Sequence, residues 1–367
     1  MNKIILNKRF AALVSFFIVL SLVSCKKEIE PMTPESIFEK YNSSVVLIVN
    51  QYYYELKNDE MIYYYSPSSE RKIFFDKEEV LKNLSSSTGT GFVISQNGEI
   101  LTNRHVVNPK DDYYKVELEK LYDKFKLISS NDITVCNDSL MLIKNYYNEN
   151  LNYLNDYEKN SLETKYEQLK NKKNFYIDMY DDFNNTDLRT FNMKLINYKL
   201  AIAFNDTHVT DLNDLQECVK IKESERDEVD LALIQTKTKQ FLKAPKNIFN
   251  FIDNNPNLSE NISEHKERNI KNPIKINDDV FMIGYNKGFS LANTHLGIKS
   301  QFTSGKISQE NDGERILYTI PTLEGSSGSP IIDKWGNLVA VNFAKISNSQ
   351  SFSFGIPVYQ VKKFYEE

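Results

Sequence analysis

Glycine is scarce in this chain of 367 residues, and its twelve glycines are unevenly placed. Three lie between Gly89 and Gly98 and nine between Gly284 and Gly355, so Glu99 to Ile283 has none. Proline is missing from Lys110 to Ala244 as well. A long stretch without either residue lacks the common turn formers and favours helix. Cysteine is rarer still: Cys25, Cys136 and Cys218 are too few for a disulfide scaffold. The four histidines are scattered, so no Cys/His cluster is spaced for a metal, and neither a metal nor another cofactor is expected. An excess of one charge is also missing. The 45 Lys and Arg interleave with 50 Asp and Glu for a net charge of -5, with no basic stripe, which excludes nucleic acid as a partner. The apolar fraction of 41% and charged fraction of 26% are those of a globular protein. The length suits a double barrel with additions, or two domains.

The longest apolar run, Phe10 to Val23, is too short to span a membrane as a helix. Behind Lys3, Lys8 and Arg9 it suits a secretory signal over residues 1–24. It ends in Leu22-Val23-Ser24-Cys25, which resembles a bacterial lipobox. The resemblance implies cleavage before Cys25, lipidation of that cysteine, and attachment to a membrane through the lipid. An ordinary signal peptide or an uncleaved anchor is the alternative. Lys26 and Lys27 stand where an aspartate would retain a Gram-negative lipoprotein at the inner membrane. By that analogy the chain is exported and lipid-anchored in the cell envelope, at the periplasm or outer membrane, with the cell surface also open. Residues 25–43 form a tether and a short helix near Pro34 to Tyr41, with Thr33 as its cap and Pro34 in its first turn.

Strand signals flank the glycine-free middle. Ser44 to Asn50 is a β-branched run, and Asn97-Gly98 predicts a hairpin between Thr90–Ser95 and Ile100–Thr102. Short apolar runs follow at Tyr198–Phe204, Asp230–Thr236, Val280–Gly284, Ile316–Ile320, Pro330–Ile332, Leu338–Phe343 and Phe352–Pro357. Many short strands with turns between them indicate a sandwich or barrel. In the middle, Leu140, Ile143, Tyr147, Leu151, Leu154 and Tyr157, then Leu162, Tyr166 and Leu169, recur at steps of three and four. That spacing predicts a helical hairpin or small bundle over roughly Asp111 to Phe183, against the alternative of a solvated, partly disordered insert.

Three blocks carry the chemistry. They are Gly89-Thr90-Gly91-Phe92-Val93-Ile94-Ser95 leading to Leu101-Thr102-Asn103-Arg104-His105-Val106-Val107; Asp230-Leu231-Ala232-Leu233-Ile234; and Glu324-Gly325-Ser326-Ser327-Gly328-Ser329-Pro330. Together they resemble the trypsin-like serine peptidases, above all the bacterial HtrA-type and glutamyl-endopeptidase-type branches. Ile283-Gly284-Tyr285-Asn286-Lys287-Gly288, Thr303 to Ser308 and Phe354-Gly355-Ile356-Pro357 extend the resemblance across Ser44 to Val358, outside the insertions. It implies a mainly β fold of two antiparallel β-barrels with a helical insertion in the first. It also implies a serine endopeptidase acting on proteins or peptides through an acyl-enzyme, with no cofactor. Ser327 would be the nucleophile, His105 its general base, and Asp230 the group that orients the imidazole. Asp227 is the nearby competitor for the last role. The backbone N–H groups of Gly325 and Ser327 would form the oxyanion hole. By register, Thr322, Asn342 and Ala344 fall near the first specificity pocket, where nothing acidic marks a preference for Lys or Arg and a small or apolar residue is expected.

Several features depart from the family. Ser326 stands where zymogen-activated relatives carry aspartate and HtrA-type members asparagine, and Ser329 replaces a second glycine. His105 and Asp230 stand 125 positions apart, far beyond the family's usual spacing. The resulting division is a first barrel over 44–236 containing a helical insertion at about 109–197, a linker or insertion over 237–277, and a second barrel and tail over 278–367. Smaller insertions are read at Gln51–Ser86 and Phe241–Asn272. The large insertion offers a surface for partner docking or for gating the leaving side of the cleft. The rival reading is a catalytically silent trypsin-like scaffold that binds envelope proteins through that insertion. HtrA-type relatives usually carry PDZ domains, and none is expected here.

Overall fold

A computed structural model of the chain describes residues 30–111, 113–226, 228–251, 274–309, 312–345 and 352–367. The signal segment, Cys25, Asp227 and most of the 237–277 linker lie outside the described residues. The first element is helix α1 (Pro34–Tyr41), where Thr33 accepts from the Ser36 N–H at 3.2 Å. That side chain satisfies one of the orphan donors of the first turn, as the sequence led us to expect.

The first sheet holds β1 (Val45–Lys57), β2 (Ile62–Tyr65), β3 (Ile73–Phe74), β4 (Ser85–Val93), β5 (Glu99–Thr102), β6 (Asn192–Phe204), β7 (Gln216–Glu223) and β8 (Ala232–Thr236). Helix α2 (Lys77–Leu81) precedes β4, and the single turn α3 (Arg104–Val107) follows β5. Two long helices, α4 (Tyr114–Asn150) and α5 (Asp156–Asn185), then lead back to β6. The pairings run β1-β4-β5-β8-β7-β6 and return from β6 to β1, which closes a six-stranded antiparallel barrel. Alternation along β1 explains its place. Val45, Leu47 and Val49 enter one core cluster while Val46 and Ile48 enter another, so both faces of the strand are covered.

Beyond the barrel, the outer half of β1 pairs with β2 and with the first residues of β6, after a register shift between Gln51 and Tyr52. Tyr52, Tyr54 and Leu56 on one face pack with Tyr63, Leu118, Tyr122 and Phe191 under the roots of α4 and α5. On the other face Tyr53, Phe74 and Val80 pack under α2. The Gln51–Ser86 stretch and the 109–197 stretch, read from the sequence as separate insertions, therefore share one subdomain with its own aromatic core. Residues 192–197 are strand rather than helical insertion. Their Asn and Lys residues hide a β pattern that only the partner strand β1 reveals.

The second sheet comprises β9 (Asp279–Gly284), β10 (Asn293–Thr294), β11 (Gly297–Ile298), β12 (Gln301–Lys306), β13 (Ile316–Tyr318), β14 (Pro330–Asp333), β15 (Leu338–Lys345) and β16 (Ser353–Pro357), with β10 and β11 forming a separate small hairpin. Short helix α6 (Phe289–Ala292) precedes β10, and α7 (Val358–Glu366) follows β16. The order β12-β9-β14-β15-β16-β13 curls until its edges meet at the Ile307–Tyr318 bridge, supported by Thr319 N–H donating to Lys306 O at 2.9 Å. This is the second barrel. One apolar cluster runs between the two barrels, from Val45, Leu47 and Phe92 to Ile283, Tyr285 and Val341, and takes in Ile37 of α1 and Phe364 of α7.

Candidate active site

His105 lies in α3, immediately after β5, and Asp230 just precedes β8, the neighbour of β5 in the barrel. Strand pairing thus brings together two residues separated by the whole helical hairpin. Their segments are locked by the Arg104 N–H and the Asn103 side-chain amide, which donate to Asp230 O at 3.2 and 2.7 Å. The Asp230 carboxylate accepts from the His105 backbone N–H through Oδ1 at 3.0 Å and meets His105 Nδ1 through Oδ2 at 2.5 Å. A carboxylate only accepts, so neutral His105 carries its proton on Nδ1 and presents Nε2 as a base. The Asp230 side chain is 15% exposed and that of His105 47%, so the carboxylate is held inside and the imidazole is the more open of the pair.

Ser327 comes from the loop before β14, on the other barrel. Thr90 of β4 fastens that loop to the first barrel. Its N–H donates to Ser327 O at 2.8 Å, its hydroxyl donates to Gly325 O at 2.8 Å, and the same oxygen accepts from the Tyr285 N–H at 3.0 Å. Gly328 shares the junction: with φ of 86°, an added Cβ would lie 2.0 Å from Thr90 O. Thr90 and Thr102, whose hydroxyl donates to Thr90 O at 2.7 Å, sit in the sequence block that carries His105, so the same segment holds both the His105 turn and the Ser327 loop. Nothing in the motif block assigns Thr90 a role of its own. Its one signal was its place between two glycines, at the end of a run of hydroxyl residues from Ser85 to Thr88. Among the described residues the Ser327 hydroxyl makes no hydrogen bond and the residue is partly exposed, so it is available to a ligand.

The loop's backbone divides its donors. The N–H groups of Ser326, Gly328 and Ser329 are engaged by Leu323 O, Asn342 O and Ser326 O, at 3.0, 2.8 and 3.0 Å. Those of Gly325 and Ser327 have no acceptor among the described residues. The Glu324–Gly325 peptide is turned by the Lys287 N–H, which donates to Glu324 O at 2.5 Å and so directs the Gly325 N–H to the opposite side of the planar trans unit. Lys287 itself has φ of 60°, a strained conformation for a side-chain-bearing residue at a point where the backbone is being aimed. Gly325 has φ of 93° and lies with its α-carbon against Tyr285 and Gly288, where a Cβ would come within 2.3 Å of the Gly288 nitrogen. Two free N–H groups beside a serine are the arrangement that stabilises a developing oxyanion.

The departures at Ser326 and near the pocket have a structural account. Ser326 is buried; its hydroxyl donates to Leu323 O at 2.6 Å and accepts from Asn342 Nδ2 at 3.2 Å. Asn342 also donates to Ser326 O and accepts from the Tyr318 hydroxyl at 2.8 Å, so its amide braces the nucleophile loop from beneath. The Thr322 hydroxyl pairs with that of Ser353 at 2.7 Å. Ala344 lies on β15 opposite Phe354. Cys136, on α4, and Cys218, on β7, are both free and buried.

Residues 205–341 match the trypsin-like peptidase domain. The matched span is less than half of the chain, begins after the helical hairpin, and includes Asp230 and Ser327 while His105 lies ahead of it. The two-barrel architecture with a helical insertion in the first barrel is that of the trypsin-like fold. A serine endoprotease from Yersinia pestis is similar in structure, with 13% identity, a TM-score of 0.44, and coverage of 92% of this chain and 67% of that one. A search of curated proteins finds no match.

Proposed function

We propose that the chain is a serine endopeptidase that cleaves proteins or peptides of the cell envelope or extracellular space. His105 Nε2 takes the Ser327 proton as Oγ attacks the scissile carbonyl, and returns it to the leaving amine; water then resolves the acyl-enzyme by the same route. Asp230 holds the Nδ1 tautomer and balances the imidazolium charge. Gly325 and Ser327 N–H groups receive the oxyanion, a contribution of about 3 kcal/mol per donor in such sites. The observation that carries the reading is the pairing of His105 with Asp230 across strands, beside a serine loop whose two undonated N–H groups alternate with engaged ones. We further propose export through residues 1–24, anchoring through lipid on Cys25, a small or apolar residue before the cut near Thr322, Asn342 and Ala344, and partner docking on the hairpin.

The test is fluorophosphonate labelling of the detergent-extracted chain beside Ser327→Ala. Labelling of the wild type alone is the expected result. A folded wild type that resists the probe would instead favour a silent scaffold.

A further inference from the structure

Building on the peptidase reading, the least explained polar residue near the site is Asn50. It interrupts the apolar run Val45 to Val49 of β1 and is fully buried. Its side-chain Nδ2 donates to Val106 O at 3.2 Å and to Val107 O at 3.4 Å. Its Oδ1 has no partner among the described residues. A buried amide with an unmatched oxygen is unfavourable in a strand, where an aliphatic side chain would pack without loss. Its retention calls for a task, and the task is visible in what the amide holds. Val106 and Val107 are the last two residues of α3, the turn that bears His105. The carbonyls at the end of so short a helix have few donors within it. Asn50 supplies donors to both, and Ser87 Oγ adds a second bond to Val106 O at 3.0 Å.

The same face of β1 continues the attachment. Tyr54, four residues on, donates its hydroxyl to Pro109 O at 2.6 Å, and Tyr65 on β2 donates to Asp111 Oδ2 at 2.9 Å. The chain leaving His105 is thus held at successive points along β1 and β2 until it enters the hairpin. On the far side of the imidazole, Asn103 and Arg104 fix the other end of the turn to Asp230 O. The site-facing half of α3 is therefore bound to β8, and the outgoing half to β1.

We propose that Asn50 is a positioning residue for His105: by capping the carbonyls of Val106 and Val107 it fixes the turn so that the imidazole meets Asp230 on one side and offers Nε2 to Ser327 on the other. Tyr54 extends this attachment to the root of the hairpin. Neither residue touches substrate.

Asn50→Leu tests the proposal, because leucine keeps the branching at Cγ and carries neither the Nδ2 donors nor the unmatched Oδ1. The full chain in detergent is compared with Asn50→Leu, Tyr54→Phe and Ile316→Val, the last a core change in the second barrel that controls for stability loss. Asn50→Leu is expected to slow fluorophosphonate labelling of Ser327 and lower kcat for a peptide by about 10- to 100-fold, as for a small misplacement of a catalytic group, with KM within about twofold. Tyr54→Phe is expected to show a smaller loss in the same direction, and Ile316→Val none beyond its effect on melting. The second readout needs no activity. Long-range nitrogen–proton NMR of the His105 ring is expected to show a single Nδ1–H tautomer in the wild type and a mixture in Asn50→Leu. Labelling and tautomer both unchanged in Asn50→Leu would overturn the proposal. A wild type that fails to label would sink the peptidase reading alone, and the tautomer comparison would still decide whether Asn50 positions the ring.

Discussion

At the nucleophile loop, a substitution of a single methyl group separates chemistry from packing. Gly325 carries a positive φ and lies against the backbone of Tyr285 and Gly288. Gly325→Ala should displace the Glu324–Gly325 peptide and with it one oxyanion donor, lowering kcat by about 100-fold or more while substrate binding falls less. Steady-state kinetics on a peptide, with circular dichroism to establish folding, would check this. A second residue-scale expectation concerns Cys218. Burial, with a smaller contribution from Glu217, pushes its thiol up to about 12. It should resist alkylation at pH 8 in the native protein and react only after denaturation, which timed thiol labelling with mass spectrometry would show. Of the candidate site residues, His105, Asp230, Ser327 and Gly325 stand out in the sequence because short motifs carry them. Thr90 and Asn50 were not, since each acts through a carbonyl far away in the chain: Thr90 on Gly325 O and Ser327 O, Asn50 on Val106 O and Val107 O.

At the scale of elements, the hairpin divides into a root and a projecting part. Phe183 near the end of α5 stacks on Phe125 of α4 at 4.9 Å and meets Tyr122 edge-on, and Phe183 and Tyr122 belong to the cluster of the β1 and β2 tyrosines. Past Cys136, α4 buries no further side chain, and α5 buries none at all. Tyr122→Ala should therefore cost about 3 kcal/mol or more of stability, as aromatic truncations in cores do. Joining Asn137 to Asn171 through a short flexible loop should lower the melting temperature by only a few degrees. Calorimetry on the two variants would show the contrast, and equal losses would refute the division. Helical periodicity announced this hairpin correctly, since a glycine-free and proline-free run with a three-and-four repeat has few alternatives. The strand half of the same subdomain was hidden because the β1 extension reads as a tyrosine-rich loop until β2 and β6 flank it.

For the molecule as a whole, pH should act through groups that join its parts. Asp206, just after β6, pairs with Lys299, which follows β11, and the two segments also exchange backbone bonds between Asp206 N–H and Ile298 O and between Ile298 N–H and Thr207 O, at 2.7 and 2.8 Å. The hydrogen bond from Lys299 holds the Asp206 carboxyl below the usual carboxylate range. Since the folded carboxyl then titrates below the unfolded one, near 3.9, the pair adds stability above that pH and loses it as pH falls through the folded value. Both side chains are about half exposed, so the contribution is under about 1 kcal/mol. Lys299→Met should melt below the wild type at pH 6, with the difference shrinking as pH falls below the unfolded carboxylate value. At the other extreme, burial raises the hydroxyls of Tyr41, Tyr54, Tyr63, Tyr65, Tyr285 and Tyr318 above the ordinary value. Their folded values exceed the unfolded one near 10, so this stability is intact below pH 10 and lost as pH rises beyond it. Melting temperatures read by circular dichroism should hold to about pH 9 and fall steeply above about pH 10.

The sequence by itself determined the types of element, the three motif blocks and their order, because helix periodicity, turn glycines and short motifs are local. Tertiary structure decided which distant segments are neighbours. Closure of the first barrel set Asp230 beside His105 across the hairpin, and docking of the second barrel laid the Ser327 loop against Thr90. It also joined two stretches that look like unrelated insertions into one aromatic subdomain and set buried donors such as Asn50 on the carbonyls of a remote turn. These pairings carry no local signature, since a hydrogen bond from a strand to a carbonyl some fifty positions away depends only on how the sheets close.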